Sequence, residues 1–431
     1  MAVELVPVAS AQLPVHEESG EDGESLVQAL PPADRGLEAW KFLFGIFTIE
    51  AVLWGFPLSY GVFQDYYSKR PEFEGDSNLA VIGTVSTSIY FLGAPIATPL
   101  VKRFQHWQRH MIVAGWAGCI VSLVAASFMT SVNGLIATQG VLYGVSFILL
   151  YFPLLSMLNE WFVKRRGVAY GVMSAGSGVS GVGYPFLLEA LLSKYGYQTT
   201  LRAVAISELV LGAPVLFMLK PRLPPSHRGA LRMFDFSFAK QPLFWCFAIS
   251  NLIQGFGYYI PALYLPTYAS LLGISGTLGA LILSAQNLAI VVSQVLFGFL
   301  TDRTNNILLL VFVSSFVSAV ASFTLWGFAH SFVTLLMFAL LFGLFAGAFP
   351  VFWAKFGSML SDDPAHVYSM MAFGKGIGNL ATGPITATLL TRPVSSGYGI
   401  GKFEPVIIFL GSFMFCSSLA IFCWPLQRHV R

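Results

Sequence analysis

Two charged residues stand inside long apolar runs, where a charge needs a purpose. Glu50 lies about ten residues into one such run and Lys375 about eight residues into another. A charge at the centre of a membrane-crossing helix costs roughly 2.5–3.5 kcal/mol on insertion scales, so these positions mark substrate or ion paths. A buried ammonium suits the capture of an anion, and a buried carboxyl suits the uptake and release of a proton. Asn379, Thr382 and Thr386 follow Lys375 at i+4, i+7 and i+11, which places all four on one helix face. The seventh apolar run offers Asn251, Gln254, Tyr258 and Tyr259 before Pro261 and Pro266 interrupt its hydrogen-bond ladder, a break tolerated where backbone lines a cavity. The eighth adds Gln286, Asn287 and Gln294. With Trp54 and Trp353 as aromatic walls, the substrate-binding candidates are Lys375, Asn379, Asn251, Gln254, Tyr258, Gln294 and Trp54, and Glu50 is the proton-coupling candidate. For each amide or tyrosine taken alone, helix packing and ligand contact explain its presence equally well. Glu208 and Lys355 read as structural or interfacial.

Catalytic chemistry finds no support. The chain has no H-E-x-x-H, Walker A or G-x-S-x-G motif, and its seven histidines are scattered. Cys119, Cys246, Cys416 and Cys423 all fall within apolar runs without metal-ligand spacing and read as packing residues, with no disulfide framework. No cofactor or metal is expected, and the chain is not expected to be an enzyme. Without a nucleotide site, any transport would be secondary.

The elements that carry these residues are legible from composition. The chain is 55% hydrophobic and 10% charged, against about 25% charged in ordinary soluble domains. Twelve apolar runs reach the roughly 17–25 residues needed to cross about 30 Å of hydrocarbon. They cover approximately 40–63, 78–101, 111–130, 133–158, 167–193, 200–220, 241–270, 277–300, 307–329, 331–356, 367–390 and 404–425. The expected fold is an all-α membrane protein with twelve transmembrane helices in two six-helix halves. Residues 1–38, acidic at Glu17, Glu18, Glu21, Asp22 and Glu24, read as a disordered cytoplasmic tail. Residues 39–220 form the first half, 221–240 a basic, proline-containing cytoplasmic linker, 241–426 the second half and 427–431 a short tail. With both termini cytoplasmic, seventeen of the 24 Lys and Arg fall on the inner side, while Lys69, Arg70, Lys194, Arg392 and Lys402 fall outside. A multi-pass protein of the plasma membrane follows, in contact with lipid and monomeric. The even balance of 24 cations and 21 anions excludes nucleic acid as a partner.

"GFLTDR", Gly298 to Arg303, resembles the G-x-L-x-D-R signature of the major facilitator superfamily; the equivalent stretch "TPLVKRFQHWQRH" is degenerate. "EWFVKRRGVAYGVMSAGSGVSGVGYPF" is similar to the fifth-helix motif of the monocarboxylate transporters: an aromatic pair, a basic cluster, then Ala169, Gly171, Ala175 and Gly176. "GYYIPALYLPTYASLLG" and "GNLATGP" extend the resemblance to nearly all of Trp40 to Trp424. Animal members carry a transport lysine in helix 1 and an Asp/Arg pair in helix 8, where this chain places Leu58, Ile290 and Gln294. The resemblance therefore implies the major facilitator fold, in a fungal-type branch that includes vitamin and secondary-metabolite carriers, rather than lactate–proton symport.

In that fold the fifth helix faces the eighth across the seam between halves. Small residues at i, i+4 steps let the two backbones approach and slide. At the inner end of the seam, Lys164, Arg165 and Arg166 would face Asp302 and Arg303 and form a latch when that side is shut. The other reading is that the three cations only mark the inner face. The expected function is a secondary active or facilitative transporter of a small, organic, anionic solute, a monocarboxylate or secondary metabolite, by alternating access, with protons as the candidate coupling ion. The alternative is a non-transporting membrane sensor or receptor on the same fold.

Overall fold

The computed structural model describes residues 31–73, 76, 78–223, 237–304, 306–361, 364–391 and 397–428. They build sixteen α-helices: α1 (Leu37–Leu58), α2 (Tyr60–Ser68), α3 (Leu79–Arg103), α4 (Gln108–Ala126), α5 (Val132–Leu135), α6 (Tyr143–Trp161), α7 (Arg166–Leu216), α8 (Pro242–Tyr258), α9 (Ile260–Leu271), α10 (Gly276–Arg303), α11 (Ile307–Ala321), α12 (Phe332–Ala346), α13 (Phe349–Leu360), α14 (Pro364–Leu389), α15 (Glu404–Ser418) and α16 (Trp424–Arg428). No strand occurs among the described residues. Helices are what such apolar runs must form, because lipid offers no partner for a free backbone N–H or C=O.

Among the described residues, ten helical stretches are long and apolar enough to cross a membrane. The expected twelve differ from this at two places. The fifth and sixth runs follow each other without a loop as α7, which is two helices turned at Gly196 (φ 77°, ψ 171°). That left-handed φ is one glycine adopts without a Cβ penalty. The eleventh run, α14, has 26 residues but is not among the ten, because Lys375, Asn379 and its glycines and threonines dilute its apolar character.

Three of the membrane-length stretches are broken in mid-course. α1 gives way to α2 at Ser59 beside Pro57, α8 to α9 at Tyr259 before Pro261, and α12 to α13 at Gly347 and Ala348 before Pro350. Each proline lacks the N–H that would continue the ladder. The shorter pieces beyond the first two breaks, α2 and α9, pack on each other, as do α3 and α14, and α7 and α10. Gly61 permits the closest of these approaches, since a Cβ there would collide with the carbonyl oxygen of Ala262.

The chain before α1 is ordered earlier than an unstructured tail through residue 38 allows; residues 1–30 lie outside the described residues. Asp34 folds back onto the turn before α7. Its carboxylate accepts the backbone N–H groups of Val163 (3.0 Å), Lys164 (3.0 Å) and Arg165 (2.8 Å), and its own N–H donates to the Trp161 carbonyl at 2.9 Å. The first N–H groups of a helix have no partner within it, and here a carboxylate from elsewhere in the chain supplies one at the positive end of the helix dipole. Arg222 closes the strap, donating through Nε to the Pro31 carbonyl at 2.8 Å. The expected linker is described only at residues 221–223 and 237–240.

Two of the cysteines are also not simply packed. Cys246 on α8 and Cys423 are paired as a disulfide, across 177 residues of sequence, while Cys119 and Cys416 are free.

Candidate functional site

Lys375 is 1% exposed, held in the core between α14, α8 and α13. Its ammonium donates to Gln254 Oε1 at 3.1 Å and stands 3.3 Å from the ring centroid of Tyr258 and 5.7 Å from that of Trp353. Ring faces attract a cation electrostatically, so these walls hold the charge without neutralising it. Among the described residues no carboxylate forms an ion pair with Lys375; the two ion pairs present are Lys41–Glu38 and Lys69–Asp65. The arrangement is a cation with one neutral acceptor and aromatic walls, which leaves ammonium donors for an anionic ligand.

Asn251 positions this cage. Its Nδ2 donates to the Met371 carbonyl at 2.7 Å, and its Oδ1 accepts from Trp353 Nε1 at 2.8 Å, which fixes the indole beside Lys375. The polar face below Lys375 is largely occupied in helix contacts. Asn379 Nδ2 donates to Thr87 Oγ1 on α3 at 2.7 Å, Thr382 Oγ1 to the Phe256 carbonyl at 2.8 Å, and Thr386 accepts from Tyr264 at 2.9 Å. Asn379 Oδ1, by contrast, is buried without a partner. Gln294 is half-buried on α10 and makes none of the cage's hydrogen bonds.

Glu50 is buried at 4% exposure on α1 and accepts from Tyr151 Oη at 3.4 Å. Trp54, one turn on, packs edge-on against Tyr90 (5.2 Å), Phe147 (4.9 Å) and Tyr151 (6.2 Å). Ring contacts continue from there to the lysine: Tyr151 to Tyr90 at 5.2 Å, Tyr90 to Phe91 at 4.9 Å and Phe91 to Trp353 at 6.2 Å. Glu50 and Lys375 thus stand at the two ends of one aromatic belt.

The expected latch is described only in part. Lys164 and Arg165 are exposed and contribute their backbone N–H groups to Asp34, while Arg303 lies over Phe299 of its own helix at 4.2 Å. The side chains of Arg166 and Asp302 lie outside the described residues. The small-residue seam itself is present between α7 and α10, but only toward the end away from that loop. Asn287 Nδ2 donates to the Gly181 carbonyl at 2.8 Å and Ser284 Oγ to the Val182 carbonyl at 2.8 Å, whereas a Cβ on Gly171 would meet nothing within 4 Å. A polar tie that the sequence reading missed joins the opposite end. Lys69 Nζ lies 2.6 Å from Asp65 Oδ2, and Ser270 Oγ on α9 is 2.9 Å from the ammonium and 3.0 Å from the same carboxylate oxygen. The i, i+4 spacing of Asp65 and Lys69 was the available signal; Ser270 had none.

The sequence profile of the Major Facilitator Superfamily matches residues 42–382 and 247–430. The chain belongs to that superfamily. It is therefore a multi-pass membrane transporter and not an enzyme. Similar proteins include the MFS-type transporter pytF of Aspergillus terreus, 29% identical over 63% of this chain and 92% of its own length. The MFS transporter asaE of Aspergillus flavus is 27% identical over 83% and 81%, and the fujikurins efflux protein of Gibberella fujikuroi 26% identical over 91% and 84%. Among solved structures, a POT family transporter in complex with 5-aminolevulinic acid superposes with a TM-score of 0.72 at 11% identity, covering 89% of this chain and 96% of its own. The nucleoside transporter NupG gives 0.68 at 12% identity over 90% and 99%. At these identities the superfamily fold is what the two structures share with this chain.

Proposed function

We propose that this transporter exports a small, anionic, partly aromatic secondary metabolite by alternating access, with Lys375 holding the anionic group. The observation that carries the reading is the lysine cage: a buried ammonium between Tyr258 and Trp353, bonded to the neutral Gln254 and in no ion pair with a described carboxylate. Efflux is favoured because relatives such as the fujikurins and aspyridones efflux proteins bear that function in their names. The receptor alternative draws no support from these relatives.

Glu50 is the proposed proton-coupling group, at the far end of the aromatic belt. Residues 39–220 and 241–426 are the proposed moving halves, joined by a cytoplasmic linker at 221–240. The carrier is proposed to work as a monomer in the plasma membrane with both termini cytoplasmic, the side on which its basic residues segregate. The closed contact of α2 on α9 and the open seam at Gly171 support an inward-facing state.

Counterflow of candidate aromatic carboxylates in proteoliposomes, with and without a pH gradient, tests the reading. Saturable exchange lost in Lys375→Gln is expected. Exchange of neutral solutes alone, unaffected by Lys375→Gln, would overturn it.

A further inference from the structure

Glu208 lies on the second part of α7, away from the lysine cage, and is 2% exposed. Its Oε2 has no hydrogen-bond partner. The residue lines a small cavity with Ile49, Val52 and Leu53 of α1, Trp116 of α4 and Leu150 of α6. Its titratable neighbours are Tyr143 on α6, Cys119 on α4 and Tyr184 on the first part of α7; the α1 side chains that line the cavity are apolar, and no described Lys, Arg or His is paired with it. A buried carboxyl without a cation is an arrangement in which a proton is the natural ligand.

Tyr143 connects this carboxyl to the bend in α1. Pro57 has no N–H, so the Leu53 carbonyl one turn earlier loses its helical donor. The Tyr143 hydroxyl takes that place, donating to the Leu53 carbonyl at 2.8 Å, and the same oxygen lies 3.3 Å from Glu208 Oε1. A hydroxyl has one hydrogen to give. With Glu208 protonated, its O–H donates to the Tyr143 oxygen and the tyrosine hydrogen stays on Leu53. With Glu208 ionised, the carboxylate is the stronger acceptor and draws that hydrogen away. The Leu53 carbonyl is then left without a donor beside the Pro57 break.

We propose that Glu208 is a proton-binding site, and that its protonation sets the bend of α1 at Pro57 through the single hydroxyl hydrogen of Tyr143. α1 also carries Glu50 and Trp54, so a proton at Glu208 acts on the aromatic belt without touching the solute. The site stands apart from the lysine cage and its test requires no substrate.

Infrared titration of the full-length carrier in nanodiscs should show a protonated-carboxyl band that is absent in Glu208→Gln. The fluorescence of Trp54, isolated by difference against Trp54→Phe, should shift with the same midpoint. In Pro57→Ala the Leu53 carbonyl regains a backbone donor, so the fluorescence shift should vanish while the infrared band persists. Tyr143→Phe should likewise remove the fluorescence shift. An infrared band unchanged by Glu208→Gln overturns the site, and a fluorescence shift that survives Pro57→Ala or Tyr143→Phe overturns the link to α1. Where Glu208→Gln does not fold, Glu208→Asp takes its place: a shifted band position or midpoint is expected, and a band unchanged in Glu208→Asp overturns the site.

Discussion

The ammonium of Lys375 stands 3.3 Å from the centroid of the Tyr258 ring, and its hydrogen bond to Gln254 Oε1 at 3.1 Å is to a neutral group. The pair holds a cation in the core against an aromatic face, and under the proposed function an arriving anion would offset the cost of burying it.

Lys375→Gln should therefore weaken binding of an anionic solute strongly while leaving folding intact. A charge-assisted hydrogen bond is worth roughly 1.5–3 kcal/mol, or about a 10- to 100-fold change in affinity. Lys375→Gln can still bond Gln254, so the bundle keeps its packing. Equilibrium binding measured alongside a melting curve checks this; unchanged affinity in a well-folded variant removes Lys375 from the site.

Ser270→Ala should loosen the contact between α2 and α9. Ser270 Oγ joins Lys69 and Asp65 across two helices that belong to distant parts of the chain. Each hydrogen bond contributes about 0.5–1.5 kcal/mol, enough to shift a nearly balanced two-state equilibrium several-fold. A cysteine placed at Leu263 should react faster with an impermeant maleimide in the Ser270→Ala background. Equal rates would mean that the tie does not hold this end closed.

Apolar length makes most of the helices legible, and Pro261 marks one bend, whereas the bend beside Pro57 was not read and Pro266, expected to break the ladder, lies within α9. The common face of Lys375, Asn379, Thr382 and Thr386 was also legible, and all four are buried. What spacing does not carry is the identity of the neighbour. Asn379 meets Thr87 across 292 residues and Thr386 meets Tyr264 across 122, so a shared face became a set of helix ties around a single charge. The docking of Asp34 was hidden for the same reason. An acidic, low-complexity start says nothing of a carboxylate that caps a turn 130 residues away.

Asp34 gives a pH prediction. The N–H groups of Lys164, then Arg165, hold its carboxyl below the ordinary aspartate value of 3.8. A carboxyl with a depressed folded value contributes above its unfolded value and loses that contribution as pH falls through the folded one. Docking of residues 31–36 should thus be constant from pH 7 down to about 4 and fail only in stronger acid. Asp34→Ala should release the turn at every pH, seen as faster hydrogen exchange at Val163, Lys164 and Arg165. Release of the wild-type turn near neutral pH would contradict the assignment.

Gly61→Ala tests whether α2 and α9 must touch for the carrier to cycle. The Ala262 carbonyl occupies the space that a Cβ at Gly61 would need, and backbone has no rotamer by which to withdraw. The two helices must then separate, which also lengthens the reach from Ser270 to Asp65. Helix interiors otherwise favour alanine over glycine by about 1 kcal/mol, so a purely local effect would stabilise the protein. The expected outcome has the opposite sign in function: a melting temperature unchanged or raised, with solute exchange slowed and the Leu263 cysteine exposed. Overpacking of this kind costs roughly 1–3 kcal/mol where the contact must close, and nothing where it is open. The variant should for that reason accumulate in the conformation open at the α2 and α9 end. Exchange at the wild-type rate in Gly61→Ala would show that the contact is dispensable to the cycle.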